Sequence, residues 1–287
     1  MKKFLTGFCL GIAFFLVLYF LLVFLPGALQ GTILVDPYIF KIGSFYVRWY
    51  GFLIATGVLI AYLVSDKTMR KKGFTSVQIE GTFLILIIFG VIGARIGYII
   101  QSTNYFSQHL PEIFKLWDGG LSIHGAILGG IAGLLIAAKT YHYNAALAAN
   151  IITPQLFLAG AIGRFGNFFN SEIIGQPTTI WWKMFVPDTS RPFGFENHSY
   201  FHPVFLYEAI LFLFFYFIYI LISKKTGIKY GFAYTMVFYS LTRVIIEFWR
   251  IDYRPILGPF DLAQLVSFGI ILIGLAIGLV TLTKRKI

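Results

Sequence analysis

Cysteine and charged residues are scarce in this sequence. The 287-residue chain has one cysteine, Cys9, which excludes an internal disulfide and a cysteine metal site. Only 12% of its residues are charged, against about 25% in soluble domains, while 58% are hydrophobic and the mean hydropathy is +0.79. HExxH and DxD patterns are also absent from the sequence. These features exclude an ordinary soluble domain, and they predict neither a metal nor another cofactor.

Apolar residues are concentrated in eight long runs. Most runs hold about 20 residues, the length that crosses about 30 Å of hydrocarbon. The sequence therefore predicts an all-α, polytopic membrane helix bundle. The runs are 4–25, 49–66, 81–100, 121–140, 145–169, 203–223, 231–249 and 262–283.

Basic residues dominate the short segments between the runs. The net charge of +11 does not indicate nucleic acid here, because this distribution is typical of membrane proteins. If the runs alternate in direction, 13 basic residues lie on one side and 7 on the other. The positive-inside rule then places both termini in the cytoplasm.

The first run has two interpretations. Its charged start and apolar core fit a signal peptide, with a cut region at residues 28–30. Its core of about 22 residues is longer than a usual signal core, which favours an uncleaved anchor. We therefore expect an N-terminal membrane anchor, 1–30, and a membrane domain, 31–287.

Three arginines, Arg95, Arg164 and Arg243, lie within or at the edge of apolar runs. A cation in a span costs roughly 3 kcal/mol or more unless it is paired or hydrated, and it usually marks a functional site. A structural or snorkelling arginine is the alternative for any one of them. Three such residues with polar neighbours favour function.

Polar residues at helical spacing accompany two of these arginines. Tyr239, Arg243 and Glu247 are four apart, so they share one helix face. Glu247 either belongs to a site or only neutralises Arg243. Arg164 and Asn167 also share a face, in the stretch that least resembles an apolar core. This stretch continues with Asn170, Glu172 and Gly175.

Glycines at four-residue intervals predict closely packed helices. Packing does not explain His124, at the start of the run 121–140. It is either a structural histidine or a general base, since the pKa of histidine lies near neutrality. The glycines are Gly93 and Gly97 in one run and Gly125, Gly129 and Gly133 in the next.

Fixed cations near one face of a membrane predict an anion site. Guanidinium groups match phosphate oxygens as bidentate donors, and a phospholipid headgroup is the anion at that depth. The long loop 170–202 carries Trp181 and Trp182. It is either an aromatic belt at the lipid interface or a flap over a lipid site.

These residues resemble the prolipoprotein diacylglyceryl transferase family. The similarity is strongest at GRFGNFFNSEIIGQP, 163–177, and it spans about residues 35–283. Other matching pieces follow in the family's order. They are RWYG at 48–51, GARIGY at 93–98, HG at 124–125, HPVFLYE at 202–208, and Tyr239 with Arg243 followed by EFWR at 247–250.

The resemblance implies an enzyme that moves the diacylglyceryl group of phosphatidylglycerol. The acceptor is the lipobox cysteine thiol of a preprolipoprotein signal peptide, and the products are a thioether and glycerol phosphate. It also implies the bacterial plasma (inner) membrane, with the active site towards the outer leaflet.

The same resemblance implies roles for individual residues. Arg164 and Arg243 bind or polarise the phosphate, Tyr239 lines the catalytic cavity, and His124 is a candidate base. The remaining substrate-binding residues are Tyr50, Arg95, Asn167, Glu172, Gly175 and Glu247.

The sequence departs from the family in two places. The family has seven spans and an outward N-terminus, so the run 4–25 is an extra N-terminal span that preserves the topology of a seven-span core. Val204 and Phe205 stand where the family commonly has polar residues. We therefore expect no catalytic role for these positions.

Three other functions fit parts of the pattern. A transporter for anionic lipids or solutes would use intramembrane arginines, but the sequence has no convincing internal repeat. An intramembrane protease would need a nucleophile, and Ser122 near His124 is weak support without a GxSG motif. A lipid-binding scaffold would keep the arginines and dispense with His124 and Tyr239.

Overall fold

The computed structural model describes residues 15, 18–43, 45–116, 119–251 and 255–283. Three features named from the sequence lie outside this part of the chain. They are Cys9, the other residues 4–14, 16 and 17 of the first run, and the basic residues 284–286, which are three of the 13 counted above.

Long apolar helices dominate the described residues. Six helical segments are long and apolar enough to cross a membrane, which confirms the predicted helical membrane bundle. These segments are Trp49–Lys71, Ser76–Gln101, Ile123–Thr140, Ala145–Phe169, Val204–Thr226 and Leu262–Thr283. The helices are α1 Leu25–Gln30, α2 Trp49–Lys71, α3 Ser76–Gln101, α4 Thr103–Phe106, α5 Ile123–Thr140, α6 Ala145–Ile152, α7 Leu156–Phe169, α8 Val204–Thr226, α9 Gly231–Glu247 and α10 Leu262–Thr283.

Two predicted spans stay predictions. The run 231–249 forms α9, whose 17 residues make it shorter than the six segments above. The described end of the first run forms a π-helical turn, Phe20–Phe24, that leads into α1. Short 3₁₀-helices lie between the longer helices. They are Leu110–Phe114, Thr153–Gln155, Asp188–Ser190 and Ile228–Tyr230.

Two small antiparallel strand pairs depart from the all-α prediction. Strand β1, Tyr38–Ile42, pairs with β2, Phe45–Arg48, and β3, Met184–Phe185, pairs with β4, Tyr200–Phe201. Aromatic and β-branched residues on both sides of Gly43 are a hairpin signal, so the first pair was readable from the sequence. Both pairs lie in connections between helices, and they leave the fold class unchanged.

The chain folds into two compact units, each built from separate stretches of sequence. The first unit consists of Met1–Val58, Phe157–Ile218 and Met236–Ala276. The second consists of Leu59–Leu156, Tyr219–Thr235 and Ile277–Ile287. The expected division at residue 30 stays a prediction.

An aromatic core holds the end of α7 in the first unit. Phe168 stacks on Phe205 with ring centroids 4.8 Å apart, and Trp49 stacks on Phe169 at the same distance. The N-terminal helical segment joins this core, since Phe24 lies against Phe169. The core therefore fixes the part of α7 that follows Arg164. Its buried members from other elements are Leu25, Ala28, Leu29, Ile174, Met184, Val186 and Phe201.

Glycine contacts join α3 to α5 in the second unit. A Cβ atom on Gly93 would lie 2.4 Å from the carbonyl oxygen of Gly125. A Cβ on Gly129 would lie 2.1 Å from the carbonyl oxygen of Phe89. The two backbones thus approach more closely than any side chain permits, which confirms the predicted glycine packing face.

Candidate active site

Arg164 of α7 is held by two polar partners. Its Nη2 donates to Glu208 Oε1 at 2.5 Å, and its Nη1 donates to Asn167 Oδ1 at 3.2 Å. The Glu208 side chain is fully buried at the start of α8, whereas the Arg164 side chain is 20% exposed. Arg164 Nε and Glu208 Oε2 are buried without a hydrogen-bond partner among the described residues. The ion pair therefore fixes the guanidinium and leaves one of its donors unused.

Phe212 forms an aromatic shelf beneath this ion pair. Arg164 Cζ lies 5.7 Å from the centre of the Phe212 ring. The same ring stacks on Tyr239 of α9 at 5.6 Å, with 15° between the planes. Tyr239 is also within electrostatic range of Arg164, Glu208 and Arg243. The shelf thus joins residues of α7, α8 and α9 in one cluster.

A second ion pair lies on α9. Arg243 Nη2 donates to Glu247 Oε2 at 2.6 Å, which confirms that the two residues share a helix face. The other oxygen of Glu247 lies 3.4 Å from Arg250 Nε. Glu247 is 4% exposed, so one buried carboxylate neutralises parts of two arginines.

Glu172 sits in a strained segment beyond α7. Its carboxylate accepts hydrogen bonds from Asn167 Nδ2 at 3.0 Å and Asn170 Nδ2 at 3.1 Å. Ser171 and Ile173 on either side have φ angles of +53° and +56°. A β-branched residue in the left-handed region costs about 1–3 kcal/mol, and such strain concentrates at functional sites.

Gly175 is fixed by the backbone around it. Its amide donates to the carbonyl of His202 at 3.1 Å, and it pairs with Arg250 in an isolated β-bridge. A Cβ atom at Gly175 would lie 2.6 Å from His202 Cβ. Glycine is needed here for close backbone packing, and the substrate-binding role stays a prediction.

Tyr50, in the first turn of α2, lies beside the Arg164 and Glu172 cluster. A Cβ atom on Gly166 would lie 2.9 Å from its ring. Its phenol is within electrostatic range of both charged residues, and the residue is 37% exposed. Tyr50 therefore places a partly exposed phenol beside the cluster.

Arg95 and His124, the other two predicted site residues, lie in the second unit. Arg95 is buried, and its guanidinium donates to the backbone carbonyls of Ile113 at 2.8 Å, Gly119 at 2.8 Å and Glu112. These contacts hold the backbone at those three residues, so a structural role explains Arg95. His124 is exposed and makes no hydrogen bond in the described part of the chain. Their roles toward a substrate stay predictions.

A hydrogen-bonded chain lies near Gly175. Trp182 Nε1 donates to Tyr207 Oη at 2.7 Å, and Tyr207 Oη lies 2.9 Å from His202 Nδ1. Tyr207 Oη therefore accepts a hydrogen bond from Trp182 and shares a second hydrogen bond with the His202 ring, which holds the imidazole in place. Burial lowers the pKa of His202 below its usual 6.5 and favours the neutral imidazole.

Two members of the cluster, Glu208 and Phe212, were missed from the sequence. Glu208 is a carboxylate inside an apolar run, and the rule that singled out the three arginines applies equally to it. No sequence signal distinguishes Phe212 from the other aromatic residues of α8.

The cluster defines a class of protein. Partly buried arginines, each paired with a buried carboxylate in a protein of membrane-spanning helices, are typical of membrane proteins that bind an anionic group. A family model for prolipoprotein diacylglyceryl transferase matches residues 37–280. The chain belongs to this family.

Several transferases align with this chain over most of their length. The chain is 38% identical to a phosphatidylglycerol–prolipoprotein diacylglyceryl transferase of Thermotoga petrophila, over 96% of this chain and 94% of the relative. It is 40% identical to the transferase of the same name from Fervidobacterium nodosum, over 88% and 87%. The Synechocystis sp. protein of that name is 37% identical over 84% and 87%. The transporter, protease and scaffold alternatives gain no support from these relatives.

Proposed function

We infer that the chain transfers a diacylglyceryl group from phosphatidylglycerol to a prolipoprotein, the first step of lipoprotein maturation. Relatives of this name align with nearly the whole chain. One structural observation carries the inference to a site: Arg164 and Arg243 are each oriented by a buried carboxylate, and Tyr239 stacks on the ring beneath Arg164 and lies one helical turn from Arg243.

The reaction is a displacement at the glyceryl carbon that carries the phosphate. The thiol gives up its proton, its sulfur forms a bond to that carbon, and the carbon–oxygen bond to phosphate breaks. The electron pair leaves with the phosphate oxygen, so glycerol phosphate departs as the second product. Catalysis therefore needs stabilisation of a phosphate that gains charge and generation of a thiolate.

Arg164 and Arg243 supply the stabilisation. Each guanidinium has five N–H donors, and the ion pairs to Glu208 and Glu247 use only part of them. Arg164 Nε is one donor without a protein partner in the described structure. A fixed guanidinium costs little reorganisation when charge develops on the phosphate, which makes it effective in a site that excludes water.

The carboxylates act as positioning residues. The described cluster contains as many carboxylates as guanidinium groups. The carboxylates are Glu172, Glu208 and Glu247, and the guanidinium groups are Arg164, Arg243 and Arg250. A phosphate therefore binds through oriented donors and local field rather than through an excess of positive charge. The same donors lower the pKa of a thiol brought beside them, so the mechanism works with or without His124 as the base.

We place the acceptor cysteine in the lipobox of a preprolipoprotein signal peptide, and the site at the outer leaflet of the bacterial plasma (inner) membrane. The excess of basic residues on the opposite side of the alternating spans supports this orientation. We expect no nucleic-acid partner and no cofactor, because displacement by a thiolate requires neither.

The test is transfer to a synthetic signal peptide with one lipobox cysteine. Purified protein is incubated with phosphatidylglycerol labelled in its glyceryl and acyl parts, and the peptide mass is followed. Wild type adds one diacylglyceryl group, whereas Arg164→Ala and Arg243→Ala lose this gain. Arg70→Ala, which removes an exposed ion pair with Asp66, serves as the matched control.

Two further samples test the nucleophile and the base separately. A peptide with serine in place of cysteine gains no mass, because the alcohol is a much weaker nucleophile than a thiolate. His124→Ala tests the base: full loss supports a general base, and residual transfer supports thiolate formation by the arginines alone. Folded wild type that binds the lipid without any mass gain contradicts the proposed function.

A further inference from the structure

The β1–β2 hairpin has two chemically different faces. Its register pairs Tyr38 with Arg48 and Lys41 with Tyr46, with an irregularity between Tyr38 and Phe40. Directly opposed residues of antiparallel strands project to the same side, and the extra residue of the irregularity restores the alternation. Two cations and two tyrosines therefore share one face of the hairpin.

Aromatic rings hold the two cations in place. Lys41 Nζ lies 3.7 Å from the centre of the Tyr38 ring. Arg48 Cζ lies 5.4 Å from the Tyr38 ring and 5.5 Å from the Tyr46 ring, and the two rings meet edge to face at 5.4 Å. Cation–π contacts of this kind orient a charge without neutralising it.

Arg48 differs from every other arginine in the described part of the chain. It makes neither a side-chain hydrogen bond nor an ion pair there, and Lys41 has no carboxylate partner there either. The nearest carboxylate in sequence, Asp36, accepts the amide of Tyr38 instead. Each other described arginine contacts a carboxylate or a carbonyl: Arg70, Arg95, Arg164, Arg191, Arg243 and Arg250.

The other face of the hairpin is apolar and accessible. Phe40 is 45% exposed and Ile42 is 71% exposed. The hairpin ends at Arg48, and the membrane-spanning helix α2 begins at the next residue, Trp49. The start of a spanning helix lies at the membrane interface, so the hairpin is held at that level.

We propose that the β1–β2 hairpin is a docking surface for anionic phospholipid, with Lys41 and Arg48 bound to the lipid phosphate and the apolar face turned to the acyl chains. A membrane surface that carries anionic headgroups matches the unneutralised charges, and its hydrocarbon matches Phe40 and Ile42. The proposal rests on the proposed function for its purpose: the hairpin concentrates the donor lipid two residues before Tyr50 of the candidate active site.

The first arm of the test measures lipid contact without transfer. Full-length protein with Cys9→Ser and Ile42→Cys carries a fluorescent label at residue 42 and is placed in lipid nanodiscs. The bilayer contains either brominated phosphatidylglycerol or brominated phosphatidylcholine at the same fraction. We expect stronger quenching by the anionic lipid, and equal quenching by both lipids after Lys41→Gln with Arg48→Gln.

The second arm measures transfer as a function of the phosphatidylglycerol fraction. Each charge near an anionic surface contributes a factor of about five in lipid affinity. Lys41→Gln and Arg48→Gln therefore each raise KM about fivefold and leave kcat unchanged. Lys183→Gln is the matched control, because Lys183 also lies over a tyrosine ring, at 4.2 Å from that of Tyr200, but outside the hairpin. The charge-conserving pair Lys41→Arg with Arg48→Lys restores KM.

Two results overturn the proposal. One is equal quenching by brominated phosphatidylglycerol and brominated phosphatidylcholine when Lys41 and Arg48 are both present. The other is a KM that the glutamine variants leave unchanged, or that Lys183→Gln raises equally. If wild type shows no transfer at all, the proposed function fails, while the quenching arm still tests the hairpin on its own.

Discussion

At the scale of single residues, the arginines of the candidate active site depend on buried carboxylates. A charged side chain inside a membrane protein is stable only when it is paired, and each ion pair also fixes the direction of its guanidinium. Arg164 takes its partner from another helix, whereas Arg243 takes it from the next turn of its own.

Glu208 offers the clearest test of positioning. Glu208→Ala leaves Arg164 as a partly buried cation without its carboxylate, which destabilises the fold by roughly 3 kcal/mol and removes the fixed orientation. We expect the transfer rate to fall about 100-fold or more, because the Arg164 guanidinium no longer donates to the phosphate from the correct position. Glu208→Gln keeps an acceptor oxygen and loses less. Transfer rates and thermal unfolding check both variants.

Glu196→Ala is the control for Glu208. Glu196 is exposed, and its carboxylate accepts a local hydrogen bond from the Gly194 amide at 2.9 Å. This variant keeps wild-type stability and transfer. A Glu208→Ala protein that also kept both would contradict a positioning role.

His202 predicts a dependence of stability on pH. Burial lowers its pKa in the folded protein below the usual 6.5, so the unfolded chain binds a proton first as the pH falls. The stabilisation that His202 contributes is complete above pH 6.5. It is lost as the pH falls from there through the lower pKa that His202 has in the folded protein. His202→Gln removes this dependence. Thermal unfolding of both proteins in detergent between neutral and mildly acidic pH measures it, and parallel curves for the two proteins would contradict the assignment.

Local spacing determined which contacts of the arginines could be predicted. The contact of Arg243 with Glu247 follows from residues four apart on a helix, and that of Arg164 with Asn167 from residues three apart. Glu208 is 44 residues from Arg164, and only tertiary packing brings them together. The partners of Arg95 are backbone carbonyls, which no residue pattern reveals.

At the scale of elements, α3 and α5 pack through their glycines. Helices in a bilayer gain no hydrophobic stabilisation from each other beyond that of lipid, so close backbone contact matters more than in water. The four-residue spacing made this interface predictable. The β1–β2 hairpin was not predicted, because its short strands lie between two long apolar runs and leave only a weak local signal.

Gly129 and Gly130 test this interface as neighbours on one helix. A Cβ atom at Gly129 would lie 2.1 Å from the Phe89 carbonyl oxygen, whereas nothing lies within 4 Å of one at Gly130. Gly129→Ala forces the helices apart and lowers the thermal unfolding midpoint by several degrees. Gly130→Ala keeps or raises it, since alanine favours a helix by about 1 kcal/mol over glycine. Equal midpoints would contradict the packing face.

The N-terminal helix tests the choice between anchor and signal peptide. Ala28 and Leu29, in the region where a signal peptidase would cut, are 4% and 9% exposed and belong to the aromatic core of the first unit. We predict that the protein extracted from membranes retains residues 1–30, because α1 is part of that core. Intact mass measures this directly, and a mass that lacks these residues would contradict the prediction.

At the scale of the whole molecule, eight of the ten predicted site residues belong to the first unit, and Arg95 and His124 belong to the second. The sequence predicted the bundle, the interhelical glycines and most of the arginine cluster, because hydropathy and helical spacing are local properties. It did not predict the partners across helices, which depend on how distant segments pack.

The central claim is that Arg164 and Arg243 together hold one lipid phosphate. Equilibrium binding of phosphatidylglycerol to folded Arg164→Gln, Arg243→Gln and the double variant, with Arg70→Gln as control, tests it most directly. We predict that each single variant loses about tenfold or more in affinity, and that the double variant loses less than the two losses combined, because both residues bind the same group. Unchanged affinity, or losses that add fully as for independent sites, would contradict the claim.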